Sequence, residues 1–455
     1  MSNFAIMVRE RKNMKGRIPS CALAVVFLVG LCYADNQEIK VKTTGSAALE
    51  VGQIVQGECV GAFMTPENPK TVLKGWQERF LFLFGSDAVL NEHIRLIINI
   101  EGKIAFAYPQ VGGLDYITTQ APSYVFSPIQ AEGVCSLGDP EKPWLRIGMG
   151  FFPYKFNPDA RNLGEFMFRS GTYPPYIITD FNHCYGRLLG LRVSSTLFNN
   201  LKQDLLFTSE TLMFPTQDYS LSYLAHYSLA GFMDIGAGID CAHFFSIGSK
   251  DASSAVKSDA VGDRYIAAAG DTATSYYDFK AVKPSIMLAF DLKKLLPSII
   301  ADLLSKDDLR LYGEACVTGW EDFKNYDTTA NAKSYYENRM DRTLLMAGLN
   351  IPTTKWGLDV LSLECEYYSN KYPNSFRNVM EMNIATPYTN YRPDLYPWYF
   401  SIYAKKTFLD KFSITGQIAR DHMRPYCPVS KFAEREESLK KIGDWWWVLN
   451  FNVSM

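Results

Sequence analysis

Proton or metal chemistry in this chain would have to use five histidines, His93, His183, His226, His243 and His422. They are widely scattered, and no Gly-x-Ser-x-Gly elbow, phosphate loop or His-Glu-x-x-His pattern accompanies them. His183-Cys184 suggests a thiol–imidazole pair, but adjacent side chains on a strand point to opposite faces. His243 is in phase with Cys241 near the end of an apolar run, which suits an interface better than a metal site. Asp421-His422 is the one acid–imidazole pair of a type that suits hydrolysis. No catalytic, cofactor-binding or metal site is assigned, and no cofactor is expected. The polar residues that alternate with apolar neighbours inside apolar runs are Arg95, Arg146, Arg192, Asp240, Arg310, Glu314 and Gln417. Charges held along a wall in this way can act on passing polar solutes through local fields.

The elements that must hold them have period two. Trp445, Trp447, Leu449, Phe451, Val453 and Met455 are apolar, with Asn450, Asn452 and Ser454 between them. A helix would scatter that set around its circumference, whereas a strand places it on one face. The same alternation sets Leu309, Leu311, Gly313, Ala315 and Val317 against Arg310, Tyr312, Glu314 and Cys316. It recurs at Phe412–Ile418, Met233–Cys241 and Val282–Leu292. Runs of about 10 to 14 residues exceed ordinary soluble strands and match tilted membrane strands.

Connection lengths give an independent signal. Long polar connections near 422–443, 370–395, 321–338, 247–278 and 153–185 alternate with tight ones at Leu409-Asp410, Pro352-Thr353-Thr354, Ala230-Gly231 and Asn199-Asn200. Such asymmetry is that of a barrel with one exterior and one periplasmic rim. The exception is 293–308, where Leu295, Leu296, Ile299, Ile300, Leu303 and Leu304 have helical spacing. It is assigned to a short helix at the periplasmic rim. The expected fold is all-β: a transmembrane antiparallel up-and-down barrel of about 16 strands, in a range of 14 to 18. The strands fall near 50–63, 76–89, 93–107, 123–132, 143–152, 186–198, 204–213, 218–229, 232–246, 279–292, 309–320, 340–351, 356–369, 396–408, 411–421 and 444–455. Glu101-Gly102-Lys103 is an alternative hairpin turn within the third. A secreted β-sandwich would also alternate. Long strands, nearly uncharged outer faces and aromatics at strand ends (Trp320, Trp398, Tyr399, Trp445, Trp446, Trp447) favour lipid.

The chain has 455 residues, with 46 Lys+Arg against 48 Asp+Glu, 47% hydrophobic and 14% aromatic residues. Disorder is excluded by so much apolar surface, and a net charge of −2 gives no basic field for nucleic acid. The longest apolar run, Cys21–Tyr33, is too short for a transmembrane helix. Preceded by Lys15 and Arg17 and followed by Ala34, it marks residues 1–34 as a signal peptide, with translation starting at Met1 or Met14. Residues 35–455 are then a single barrel domain. Cleavage leaves seven cysteines, Cys59, Cys135, Cys184, Cys241, Cys316, Cys365 and Cys427. An odd, scattered set makes neither a disulfide framework nor a zinc site, and single buried or lipid-facing thiols are expected.

The stretch Gly150-Phe151-Phe152-Pro153-Tyr154-Lys155-Phe156-Asn157-Pro158-Asp159, followed by Asn162-Leu163-Gly164-Glu165 and Arg169-Ser170-Gly171-Thr172-Tyr173-Pro174, resembles porin-type outer-membrane proteins of Gram-negative bacteria. There such a segment follows a strand bearing a Gly-Phe/Tyr-Phe-Pro signature. The strand patterns extend the likeness over most of residues 35–455, although Met455 stands where the closing strand usually ends in an aromatic. The resemblance implies a pore-forming or transport-related barrel in the outer membrane.

With apolar flanks toward lipid, Arg95, Arg146, Arg192, Asp240, Arg310, Glu314 and Gln417 are the expected pore lining. Several separated arginines would favour anionic or neutral solutes; Arg–carboxylate networks stiffening the wall are the competing expectation. Segment 153–185 carries four prolines, with Arg161, Glu165 and Arg169 among Phe166, Phe168 and Tyr173. An ordered external loop packed on the rim is the ordinary outcome for such a connection; folded into the lumen, those three charges would line a constriction. The expected function is an ion-conducting channel for passive diffusion of small polar solutes, with outer-membrane lipid as surroundings. The alternatives are a non-conducting barrel whose loops bind a polymer or partner protein, and an enzyme at the barrel mouth. A homotrimer stands open beside a single barrel.

Overall fold

A computed structural model describes residues 39–59, 70–108, 123–139, 142–168, 186–198, 200–209, 219–245, 264–266, 275–278, 281–320, 324–327, 333–334, 338–368, 396–421, 439 and 441–455. The expected signal peptide lies outside them. The strands are β1 (Lys40–Cys59), β2 (Lys70–Val89), β3 (Ile94–Tyr108), β4 (Ser123–Gly138), β5 (Pro143–Tyr154), β6 (Gly186–Phe198), β7 (Leu201–Ser209), β8 (Tyr219–Leu229) and β9 (Met233–Phe245). Two short strands follow, β10 (Arg264–Ile266) and β11 (Ser275–Asp278). Next come β12 (Ala281–Asp291), β13 (Arg310–Val317), and the short β14 (Lys324–Asp327) and β15 (Lys333–Ser334). The last are β16 (Thr343–Asn350), β17 (Val360–Tyr368), β18 (Trp398–Phe408), β19 (Phe412–Arg420) and β20 (Trp445–Ser454).

Sixteen of these form a closed antiparallel barrel in the order β1 to β9, β12, β13 and β16 to β20. The first and last strands seal it, from Ser46 opposite Ser454 to Gln56 opposite Trp445, with a bulge between Ile54 and Gln56. Closure matters because in hydrocarbon every unpaired backbone N–H or C=O costs several kcal/mol, and a sealed ladder leaves no edge. β10, β11, β14 and β15 make a separate four-stranded sheet from the connections flanking β12 and β13. These strands of two to four residues carry too few residues for period two to register.

Alternation decides which way each wall faces. Leu449 and Phe451 on β20, Ile286 and Leu288 on β12, and Leu363 on β17 are 36–46% exposed and point outward. Val448 and Asn450, Met287 and Ala289, and Ser362 and Glu364 between them are buried inside. Apolar side chains thus ring the exterior of the barrel, a surface that water does not tolerate and lipid does. Among the described residues no helix is long and apolar enough to cross a membrane. Of the three adjacent tryptophans, Trp445 and Trp447 lie on the outer face. Trp446 is buried inside and donates to Asp421 (2.9 Å).

The tight turns behave as their sequences suggest. Ala230-Gly231 (φ 49° and 74°) and Leu409-Asp410 (φ 50° and 56°) have both central residues in the left-handed region, the two-residue hairpin geometry that matches strand twist. Elsewhere the structure corrects the sequence. β1 begins at Lys40, ten residues before its expected start. Glu101-Gly102-Lys103 does not turn: it runs through the ladder of β3, with Gly102 opposite Phe82. The ring of Phe82 covers the space that a Cβ on Gly102 would need, so the glycine reads as a cross-strand packing position. Segment 293–308 is not one helix but two single turns, Leu292–Leu295 and Ser298–Ala301. Pro297 causes the break by forcing Leu296 into an extended conformation (ψ 154°). The 351–359 connection is wider than expected because Thr353 turns back to bond Asp308. Cys135, Cys241, Cys316 and Cys365 are free; Cys316 is buried on the inner face and Cys365 exposed on the outer.

Candidate functional site: the lumen and the segment folded across it

Beyond Tyr154 the chain does not stay on the rim. Residues 155–168 turn into the barrel and meet the opposite wall. Alternating acids on the inner faces of β13 and β17 receive them. Glu364 accepts the backbone N–H groups of Arg161 (2.5 Å), Asn162 (2.9 Å) and Leu163 (2.9 Å). Glu366 accepts that of Gly164 (3.1 Å), and Glu314 those of Glu165 (2.8 Å) and Phe166 (2.9 Å). Every residue from 161 to 166 therefore donates its main-chain N–H to a wall carboxylate. A segment with no ladder of its own has to satisfy these donors somewhere, and ionised acceptors do so more strongly than neutral ones.

Local sequence makes the approach feasible. Gly164 has φ +84°, a conformation that favours glycine, and a Cβ there would press on the ends of the Met346 (2.6 Å) and Glu314 (3.1 Å) side chains. Glu165, also left-handed (φ 56°), bends its side chain back onto the N–H groups of Phe156 (2.9 Å) and Asn157 (2.5 Å), closing the segment on itself. Burial, and after it the neighbouring Glu314 carboxylate, hold the Glu165 carboxyl well above the usual range; Lys155 and the two backbone donors oppose this. Phe156, Leu163, Phe166 and Met167 are fully buried against Leu206, Leu224, Met287, Leu344 and Met346. The segment thus carries its own apolar core into the barrel.

Side chains fasten its ends. Asp159 pairs with Arg310, which also reaches Asp234 (2.9 Å) on β9. Arg161 lies 3.6 Å from Asp307 and over the ring of Tyr403, and Asn162 donates to Asp421 (2.9 Å). Tyr312 donates to Glu364 (2.8 Å), its ring resting over Gly348 on the adjacent strand.

The remaining inner wall is a lattice of opposite charges. Glu50 pairs with Arg79 (3.0 Å) and accepts from Asn450 (2.7 Å). Glu101 meets Lys103 (2.8 Å) and Arg187 (3.9 Å), and Glu132 meets Arg192 (2.7 Å). Asp204 joins Lys202 (3.2 Å) to Tyr154 (2.7 Å), and Asp240 lies 4.0 Å from Lys283.

The expected lining residues occupy these places. Arg192, Asp240, Arg310, Glu314 and Gln417 face inward, Gln417 donating to Ser401 (3.0 Å). Arg146 is exposed but in phase with the inward Phe152 and Tyr154. Arg95 is half-exposed near the turn before β3 and pairs with Asp87. Arg161 and Glu165 belong to the inserted segment; Arg169 lies outside the described residues, as do His183, Cys184 and His422. Sequence reasoning missed Glu364 and Glu366, although the signal was present. In Ser362-Leu363-Glu364-Cys365-Glu366 the acids share one face of a strand whose other face is apolar.

No protein-family model and no curated protein matches the chain. Similar solved structures are bacterial porins. A mutant of Rhodopseudomonas blastica porin is 7% identical, covering 91% of this chain and 100% of that chain, with a TM-score of 0.41. Salmonella typhi OmpF in complex with daunomycin is 10% identical, covering 91% and 98%, with a TM-score of 0.44.

Proposed function

We propose that the chain is an outer-membrane channel through which small polar solutes diffuse passively, with an aperture set by residues 155–168. The observation that carries this reading is the run of six backbone N–H groups bound to carboxylates across the lumen of a closed barrel with an apolar exterior. A barrel of 16 strands is wide enough for an aqueous channel, and a segment pinned across it narrows that channel to a fixed size. Purified protein in planar bilayers should give discrete conductance steps, and proteoliposomes should swell with sugars up to a sharp size limit. A barrel that inserts yet shows neither would overturn the proposal. It would leave the second reading, a non-conducting barrel whose external loops hold a polymer or partner, which the apolar packing inside the lumen favours. Enzymatic action at the mouth finds less support, since Asp421 is engaged by Asn162 and Trp446.

The charge preference follows from pairing. Arg192 and Arg310 face carboxylates, so their fields largely cancel at a distance. Any anion preference rests mainly on Arg146, exposed on the inner face. Arg146→Glu is expected to move the reversal potential in a salt gradient toward cation selectivity. The shift should be larger at 0.1 M than at 1 M salt, where the Debye length falls from about 10 Å to about 3 Å. An unchanged reversal potential would remove Arg146 from the selective region.

A further inference from the structure

The connection between β12 and β13 is built oddly for a short turn. Its polar groups are spent on the rim: Lys293 donates to the carbonyls of Ser305 (2.9 Å) and Lys306 (2.8 Å), Lys294 to that of Gly231, and Thr354 to that of Leu303 (2.8 Å). Asn350 holds the carbonyl of Asp307 (3.0 Å), and Asp308 caps Ser305 (2.8 Å). The segment is thus tied to the turns on either side of it. Yet its apolar side chains are turned out: Ile299 is 80% exposed, Leu303 66%, Leu295 60% and Ile300 48%. Four large aliphatics fastened in place and facing away from the protein need an occupant.

The wall above them indicates which. β12 has eleven residues, and its pairing with β13 runs on to Leu292–Leu309 at this rim and to Trp320–Val282 at the other. Eleven tilted residues give roughly 28 Å of height, which spans the apolar band of about 25 Å that such barrels present, so a segment beyond this rim lies at the edge of the hydrocarbon. The exposed aliphatics begin where the outward Leu288 on β12 and Leu311 on β13 end, so they continue an apolar outer wall. Trp356, 61% exposed in the next turn, is a residue that favours the membrane boundary.

We infer that residues 295–303 form an interfacial anchor: their apolar face is sunk in the phospholipid leaflet on the short-turn side, continuing the outer apolar face of the β12–β13 wall. This rests on the reading of the barrel as membrane-spanning, so the test separates the two. The photoreactive residue p-benzoylphenylalanine is placed at position 299 of the full chain and, separately, at position 288 on the outer face of β12. Both proteins are folded into phosphatidylethanolamine/phosphatidylglycerol vesicles, irradiated and analysed by mass. The anchor predicts phospholipid adducts at 299 in yield of the same order as at 288. Adducts at 288 but none at 299, or a covalent dimer at 299, would overturn the anchor and leave the membrane reading intact. Loss of lipid adducts at 288 itself would sink both.

Discussion

Replacing residues 157–168 by a short Gly-Ser linker is expected to raise single-channel conductance about two- to threefold, because a 16-stranded barrel with nothing folded into it leaves an open aqueous channel. The barrel should survive, since its ladder is closed without the segment and β1 pairs with β20 independently of it. Removing it does expose Met346, Leu206 and Leu224 and leaves Glu314, Glu364 and Glu366 without their main-chain donors. Those acids would then face water instead of a dry contact, which a lumen tolerates better than a core would. Liposome swelling should admit larger sugars in parallel. Conductance unchanged in a variant that still folds and inserts would show that the segment does not define the aperture.

The second large effect is expected at the clamp itself. Glu364→Ala removes the acceptor of three backbone N–H groups and of the Tyr312 hydroxyl at once. Hydrogen bonds to a charged group contribute about 1.5–3 kcal/mol each. Even after solvation of the freed donors, a net loss of about 3 kcal/mol would increase the undocked population on the order of 100-fold. The peptide bond after Arg161 reports this directly. In the docked state it lies inside the barrel, its Asn162 N–H held by Glu364, where a protease the size of trypsin cannot reach. Cleavage there should accelerate on the order of 100-fold in Glu364→Ala, in proportion to the undocked fraction. Current noise should rise as the segment leaves and returns, while barrel melting is little changed. Glu364→Gln keeps one acceptor oxygen and should fall between. If cleavage after Arg161 is as slow in Glu364→Ala as in the native chain, the carboxylate is not what holds the segment.

How much of this was legible beforehand depends on the range of the interaction. The wall was readable from neighbours two apart. Leu449 and Phe451 against Asn450, or Leu363 and Cys365 against Glu364 and Glu366, state which way each strand faces without reference to any other strand. All sixteen barrel strands fall where period two and connection length place them, with errors mainly at their ends. Those errors have local causes that alternation does not report. Pro297 broke a helical spacing, and Gly102, which looks like a turn residue, packs under Phe82 within a ladder.

The lumen was another matter. The sequence of segment 153–185 was compatible with packing on the rim or entering the barrel. The deciding contacts join Glu165 to Glu314 and Leu163 to Glu364, about 150 and 200 positions away. Nothing at such separations leaves a periodic trace. Whether Arg192 and Arg310 line the wall as free charges or pair with carboxylates was likewise open in the sequence; strand pairing sets Glu132 and Asp234 two strands away from them, and the inserted segment brings Asp159.

The sequence alone therefore determined the strands, their inner and outer faces and the closed up-and-down barrel, because a pleated backbone converts each residue's parity into a direction. Tertiary structure alone decided that residues 155–168 enter the lumen, which acids hold them and which charges are cancelled. Those choices depend on burying apolar side chains and satisfying main-chain donors at once, and they arise only when distant strands become opposite walls of one cavity.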